Sequence, residues 1–219
     1  MKEILSRVDH TLLGVTATAP DYLKLCDEGL QYQVASVCVP PSRVALCANH
    51  TAGKLAICTV VGFPNGYADT EAKAHEAAAA IRAGATEIDM VIDIGMAKEH
   101  NYAAILADIK KVRAACGTHI LKVIIETALL TEEEKIALCG TVGESGADYI
   151  KTSTGFALTG ATFEDVALLR KHSPAHVKVK AAGGIATLED AKKFIELGAD
   201  RLGTSRVVKL VQGMEGTGY

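Results

Sequence analysis

Tryptophan is absent from this chain of 219 residues, and aromatic residues make up only 5% of it. Sites that stack nucleobases or grip sugars by aromatic faces are therefore not expected. No excess of one charge is present: the formal net charge is -3 and the lysines and arginines are scattered. That excludes a basic face for nucleic acid or for an anionic membrane. No apolar run approaches the ~20 residues that span a bilayer; the stretch Ala77–Ile81 is short and flanked by charge. The first residues, Met1-Lys2-Glu3-Ile4-Leu5, lack an apolar signal core. The six cysteines (26, 38, 47, 58, 116, 139) form neither a CxxC nor a Cys/His ligand spacing. They read as reduced thiols, several buried as small apolar residues, and point to the cytoplasm. No histidine cluster supplies metal ligands, so no metal is expected. No composition shift or linker divides the chain, so residues 1–219 are expected to form one domain with a flexible glycine-rich tail over 213–219.

What is present is an alternation of strand and helix patterns. Strand-like runs occur at Val8–Leu13, Val34–Val39, Lys54–Val61, Thr86–Ile92, His119–Ile125, Asp148–Lys151, Val177–Ala182 and Asp200–Ser205. Helix starts are marked by Thr18 with Pro20, by Thr131-Glu-Glu-Glu, by Thr162-Phe-Glu-Asp and by Thr187-Leu-Glu-Asp. A helix is expected from about Ser42 to Ala52, and others over Asp69–Ala83 and Asn101–Ala115. Repeated βα units with near-continuous apolar strands argue for a parallel sheet buried on both faces. Eight such units fit a closed (β/α)8 (TIM) barrel better than an open doubly wound sheet. In that architecture chemistry belongs at the C-terminal ends of the strands.

The charged residues inside the strand patterns are few: Asp9, Glu87, Asp89, Lys122, Glu126, Lys151, Lys178 and Lys180. One such lysine is most simply a strand-end charge reaching solvent. Several in separate apolar strands are harder to explain that way, because burying an ammonium costs several kcal/mol without a partner. Asp9 and Asp89 are available as partners. Lysine is nucleophilic only when neutral, which burial and a neighbouring cation both favour. Lys151 and Lys180 at neighbouring strand ends supply that arrangement, one amine attacking a carbonyl while the other stays charged. Asp89 is the carboxylate placed to move protons. The loops Gly183-Gly184 and Gly203-Thr204-Ser205 follow the last two strands and precede helices, where backbone N–H groups commonly hold a phosphate. His10 beside Asp9 reads as a structural hydrogen bond at the barrel mouth rather than a catalytic pair, and Cys38 as buried filler.

These residues resemble the 2-deoxyribose-5-phosphate aldolases, class I aldolases on a (β/α)8 barrel. The resemblance covers nearly the whole chain and is most specific in Tyr149-Ile-Lys-Thr-Ser-Thr-Gly155 and Val179-Lys-Ala-Ala-Gly-Gly184. It extends over Asp9–Leu13, Ala35–Val39, Thr59–Pro64, Glu87–Ile92, Leu121–Thr127 and Arg201–Ser205. It implies that Lys151 forms the Schiff base, that Lys180 tunes it and that Asp89 transfers protons. The implied reaction is reversible cleavage of 2-deoxy-D-ribose 5-phosphate to D-glyceraldehyde 3-phosphate and acetaldehyde, without metal or organic cofactor. The implied phosphate contacts are Gly155, Gly183, Gly184, Gly203 and Ser205, with Lys122 beside the catalytic pair, and the implied assembly is a homodimer.

The chain departs from the family pattern at Ala186, where arginine is usual after Gly-Gly-Ile, and at Arg206, where a small residue is usual. Arg206 is expected to replace the charge missing at Ala186. Pro40 and Gly14-Val15 are further departures. Tyr219 could act as a proton relay over the barrel mouth, or simply end a disordered tail. Two other readings stand beside the aldolase: another Schiff-base, transaldolase-like enzyme of sugar phosphates, and a non-catalytic sugar-phosphate sensor on the same barrel.

Overall fold

The computed structural model describes residues 1–157 and 159–213. Eight parallel strands close on themselves in chain order: β1 (Val8–Thr11), β2 (Ser36–Val39), β3 (Ala56–Val61), β4 (Glu87–Val91), β5 (Ile120–Ile124), β6 (Tyr149–Lys151), β7 (Lys178–Ala182) and β8 (Arg201–Thr204). The pairing of β1 with β8, with Asp9 opposite Gly203, completes the ring. The helices are α1 (Lys2–Leu5), α2 (Ala19–Tyr32), α3 (Val44–Thr51), α4 (Thr70–Arg82), α5 (Ile94–Lys98), α6 (Tyr102–Cys116), α7 (Glu132–Glu144), α8 (Phe163–His172), α9 (Leu188–Glu196) and α10 (Val207–Val211). The fold is thus the (β/α)8 barrel. No helix among the described residues is long and apolar enough to cross a membrane.

Threonines begin the helices at the positions their sequence context suggests. Thr131 and Thr187 close capping boxes with Glu134 and Asp190, and the Thr162 hydroxyl accepts from the Asp165 N–H. Each such cap is worth about 1 kcal/mol. One boundary differs from the sequence reading. The helix expected from Ser42 begins at Val44, because Pro41–Arg43 form a 3-10 turn that the two prolines impose. The short helices α1 and α5 have no counterpart in the sequence reading.

The strands' two-residue period sorts side chains into two environments. Outward residues such as Val37, Ile57, Ile88, Met90, Leu121, Val123, Ile150, Val179 and Leu202 pack with the helices in one large apolar cluster. The residues of the other parity project into the barrel. There Asp9, Glu87, Asp89, Lys122, Lys151, Lys180 and Arg201 are all buried. Beside them lies a small separate apolar cluster of Leu13, Cys38, Cys58 and Val60, covered by Phe63. All six cysteines are free and buried.

Candidate active site

Strand register brings the charged residues together. Lys151 on β6 is the direct Cα partner of Lys180 on β7, Lys180 of Arg201 on β8, and Asp89 on β4 of Lys122 on β5. Their side chains meet on the barrel axis. The amines of Lys151 and Lys180 lie 2.7 and 2.6 Å from the same oxygen, Oδ2 of Asp89. Lys122 donates to the other oxygen, Oδ1, at 2.8 Å and reaches Glu87 at 2.6 Å. Lys180 also donates to Asp9 at 2.5 Å. Arg201 bridges Asp9 and Glu87, at 2.5 and 3.0 Å, and Ser36 donates to Asp9 at 2.7 Å. Lys151 is only 3% exposed.

Counted as ions, this cluster holds four cations and three carboxylates. One positive charge is in excess in a region that water does not reach. The Lys151 amine touches one carboxylate, whereas Lys180 and Lys122 each touch two or more. Burial alone would push Asp9 and Asp89 up, but the surrounding lysines, with Arg201 for Asp9, outweigh it and hold both carboxyls well below the usual range. Burial alone would likewise lower Lys180 and Lys122. The Asp89 and Asp9 charges prevail and keep both above the ordinary lysine value. The arrangement therefore holds a fixed cation and an ionised carboxylate in contact with each other beside the Lys151 amine.

A second constellation lies on the rim. Gly155, Gly160, Gly183, Gly184, Ala186 and Arg206 line one pocket of about 200 Å³. Gly183 and Gly184 both adopt left-handed backbone, with φ of 69° and 72°. A Cβ on Gly160 would fall 2.3 Å from the Gly183 carbonyl carbon, so the loops can approach only without a side chain there. Ala186 and Arg206 come from different loops yet face the same space.

Not all the residues suggested by sequence gather there. Gly203 lies in β8, where its missing side chain makes room for Lys180: a Cβ would sit 3.1 Å from the lysine Cε. Ser205 lines a different pocket of about 350 Å³ with His10, Thr11, Glu28 and Lys209. Lys122 is fully enclosed among carboxylates, away from the glycine pocket. His10 is buried, with Nε2 2.9 Å from Glu28. Tyr219 lies outside the described residues. Arg201 received no role from the sequence, although its charge at an inward position of an apolar strand was the signal.

The pattern of the DeoC/LacD family aldolases matches residues 4–214. The chain belongs to this family. A deoxyribose-phosphate aldolase of Streptococcus agalactiae serotype Ia is 54% identical over 215 residues, covering 98% of this chain and 96% of that protein. One of Streptococcus pyogenes serotype M28 is 55% identical over 212 residues, covering 97% and 95%. The solved deoxyribose phosphate aldolase of Aeropyrum pernix, described as a tetramer, superposes with a TM-score of 0.88 at 32% identity, over 97% of this chain and 92% of that one. A family aldolase with a buried lysine pair sharing one carboxylate is matched by chemistry that needs a neutral amine.

Proposed function

We propose that the protein is a class I aldolase that reversibly cleaves 2-deoxy-D-ribose 5-phosphate to D-glyceraldehyde 3-phosphate and acetaldehyde through a Schiff base on Lys151. The observation that carries this reading is the shared oxygen of Asp89 between Lys151 and Lys180 in a cluster with one excess positive charge. The names and near full-length identity of the streptococcal relatives support the substrate.

The neutral Lys151 amine attacks the C1 carbonyl, and loss of water from the carbinolamine gives a protonated imine. Removal of the C3 hydroxyl proton lets the C2–C3 bond break. Its electrons move into the imine, leaving an enamine and releasing D-glyceraldehyde 3-phosphate. Protonation of the enamine at C2 and hydrolysis release acetaldehyde and restore the amine. Asp89 touches the nucleophile and takes and returns protons. Lys180, held charged by Asp9 and Asp89, disfavours a second ammonium beside it. Lys122, Glu87 and Arg201 fix Asp89 and Asp9 in place. The phosphate binds in the glycine pocket between the backbone N–H groups of the Gly155 and Gly183-Gly184 loops, and Arg206 supplies the cation from the neighbouring loop. We read Gly203 and Ser205 as standing apart from the phosphate pocket, residues 1–219 as one barrel domain, the assembly as a homodimer and the compartment as the cytoplasm.

Borohydride trapping tests the proposal. Acetaldehyde with borohydride should add an irreversible two-carbon mass to Lys151. Absence of any adduct would favour the sugar-phosphate sensor. Cleavage of fructose phosphates in preference to deoxyribose 5-phosphate would favour the transaldolase-like reading.

A further inference from the structure

We propose that Cys38, Cys58 and Asp89 form a binding site for a thiophilic divalent cation of the zinc and cadmium class, and that occupying it through Asp89 Oδ1 switches the enzyme off by neutralising the carboxylate whose other oxygen Lys151 and Lys180 share. Cys38 and Cys58 are direct Cα partners across β2 and β3, and neither is exposed. The Cys58 sulfur lies 3.2 Å from Asp89 Oδ1. The three potential ligand atoms all lie within 4.8 Å of one another. Metal–thiolate bonds of about 2.3 Å place tetrahedral ligands about 3.8 Å apart. Shifts of up to about 1 Å in the spacing of the ligand atoms therefore form the site.

Donor type sets the class of ion. Two sulfurs and one carboxylate favour soft or borderline cations over magnesium or calcium. A second grouping, Asp9, Cys58 and Glu87, offers a single sulfur, and both its carboxylates are already held by Arg201. Charge also balances. The ion brings two positive charges, each thiol loses its proton as its metal–sulfur bond forms, and Asp89 is already ionised. Two protons leave, and the net charge of the buried cluster is unchanged. Lys122, 3.3 Å from the Cys58 sulfur, must give way. Its 2.6 Å contact with Glu87 leaves it an anion. Leu13, Val60 and Phe63 surround the thiols and exclude water that would compete as a ligand.

The consequence for activity rests on the aldolase reading, but binding does not. The test titrates the whole protein with cadmium alone. It follows cadmium–thiolate charge-transfer absorption, protons released in weakly buffered solution, and borohydride trapping with acetaldehyde. The expected result is one tightly bound ion, two protons released and trapping lost, all reversed by a chelator. Cys38→Ala and Cys58→Ala should each weaken binding roughly 100-fold, at least what a lost outer partner of a metal ligand costs. Cys38→Ser serves if the alanine variant does not fold. Cys26 and Cys47, two further buried free thiols on α2 and α3, provide the control. Cys26→Ala should leave the signal intact. Absorption that survives both Cys38→Ala and Cys58→Ala, or that vanishes in Cys26→Ala, overturns the site, as does binding without proton release. Cadmium bound while trapping continues overturns the switch. If the metal-free protein never forms an adduct, the aldolase reading fails, and absorption and proton release still decide the site.

Discussion

Replacing Lys180 by methionine isolates what its charge does. The amines of Lys151 and Lys180 both lie within 2.7 Å of the same Asp89 oxygen, so they are at most twice that distance apart. Two unit charges about 5 Å apart, at an effective dielectric constant of about 20, repel by about 3 kcal/mol. In the wild type this repulsion favours loss of one proton. Methionine has similar volume, removes the repulsion and leaves three cations facing three carboxylates. Asp89, released from Lys180, also pairs more closely with Lys151. Both effects act in one direction. The fraction of nucleophilic amine near neutral pH should fall about 100-fold, which is what about 3 kcal/mol amounts to. The assay is the rate of borohydride trapping by acetaldehyde as a function of pH, read by mass. Trapping by Lys180→Met should be about 100-fold slower near neutrality, and the deficit should close at high pH, where the amine is neutral in both proteins. A deficit that persists at high pH would show that Lys180 acts by contact or position. No deficit would refute the electrostatic account.

Three further outcomes follow from other parts of the structure. Arg206→Ala should raise KM for the phosphorylated substrate by roughly 10- to 100-fold, the range of a lost charge-assisted hydrogen bond, with kcat nearly unchanged. Turnover of unphosphorylated deoxyribose should not change, and an unaltered KM would remove Arg206 from the phosphate site. Gly160→Ala places a Cβ 2.3 Å from the Gly183 carbonyl carbon, so it should cost the same substrate selectivity while acetaldehyde trapping continues; loss of trapping as well would mean the pocket and the lysine cluster are not separable. Asp9 and Asp89 are both held below the ordinary carboxylate range in the folded state. Their stabilisation is therefore complete above the unfolded value of about 3.9 and is lost as pH falls through it toward the folded values. Thermal melts should drop steeply below about pH 4, and Asp9→Asn should flatten that drop; an equal slope would mean that other carboxylates govern acid unfolding.

The barrel was legible because each strand is a short apolar run between helix caps and glycines, a local signal. The buried cluster of lysines and carboxylates was legible for a related reason. Lys151, Lys180 and Asp89 fall in runs such as Tyr149–Lys151 and Val179–Ala182 that bury every side chain, and charge in such runs needs a partner. What escaped depended on register. Arg201 looks like an ordinary strand-start arginine until closure of the barrel sets it beside Glu87 and Asp9. Gly203 and Gly183 look alike in sequence, yet one makes room for a lysine stem and the other lines the rim. Cys38 and Cys58 lie twenty positions apart, and only the β2–β3 register brings them level.

The interior of this barrel is not arranged for stability alone. Buried ion pairs contribute little net stability after desolvation, and uncompensated ones cost it. A cluster with four cations and three carboxylates is therefore poorer for folding than a balanced one. Its imbalance makes sense if one amine must spend time neutral. Two variants that should both lose activity differ in what they do to this balance. Lys180→Met balances the cluster and should melt no lower than the wild type. Asp89→Asn removes the anion that three lysines share. It leaves four cations against two carboxylates and should cost about 3–5 kcal/mol, as breaking a buried pair does. Denaturant unfolding of the two variants measures this directly. Opposite stability effects with shared loss of trapping would tie the excess charge to the chemistry. Equal destabilisation by both would show that the lysines are held for packing, and that the unbalanced charge is not what frees Lys151.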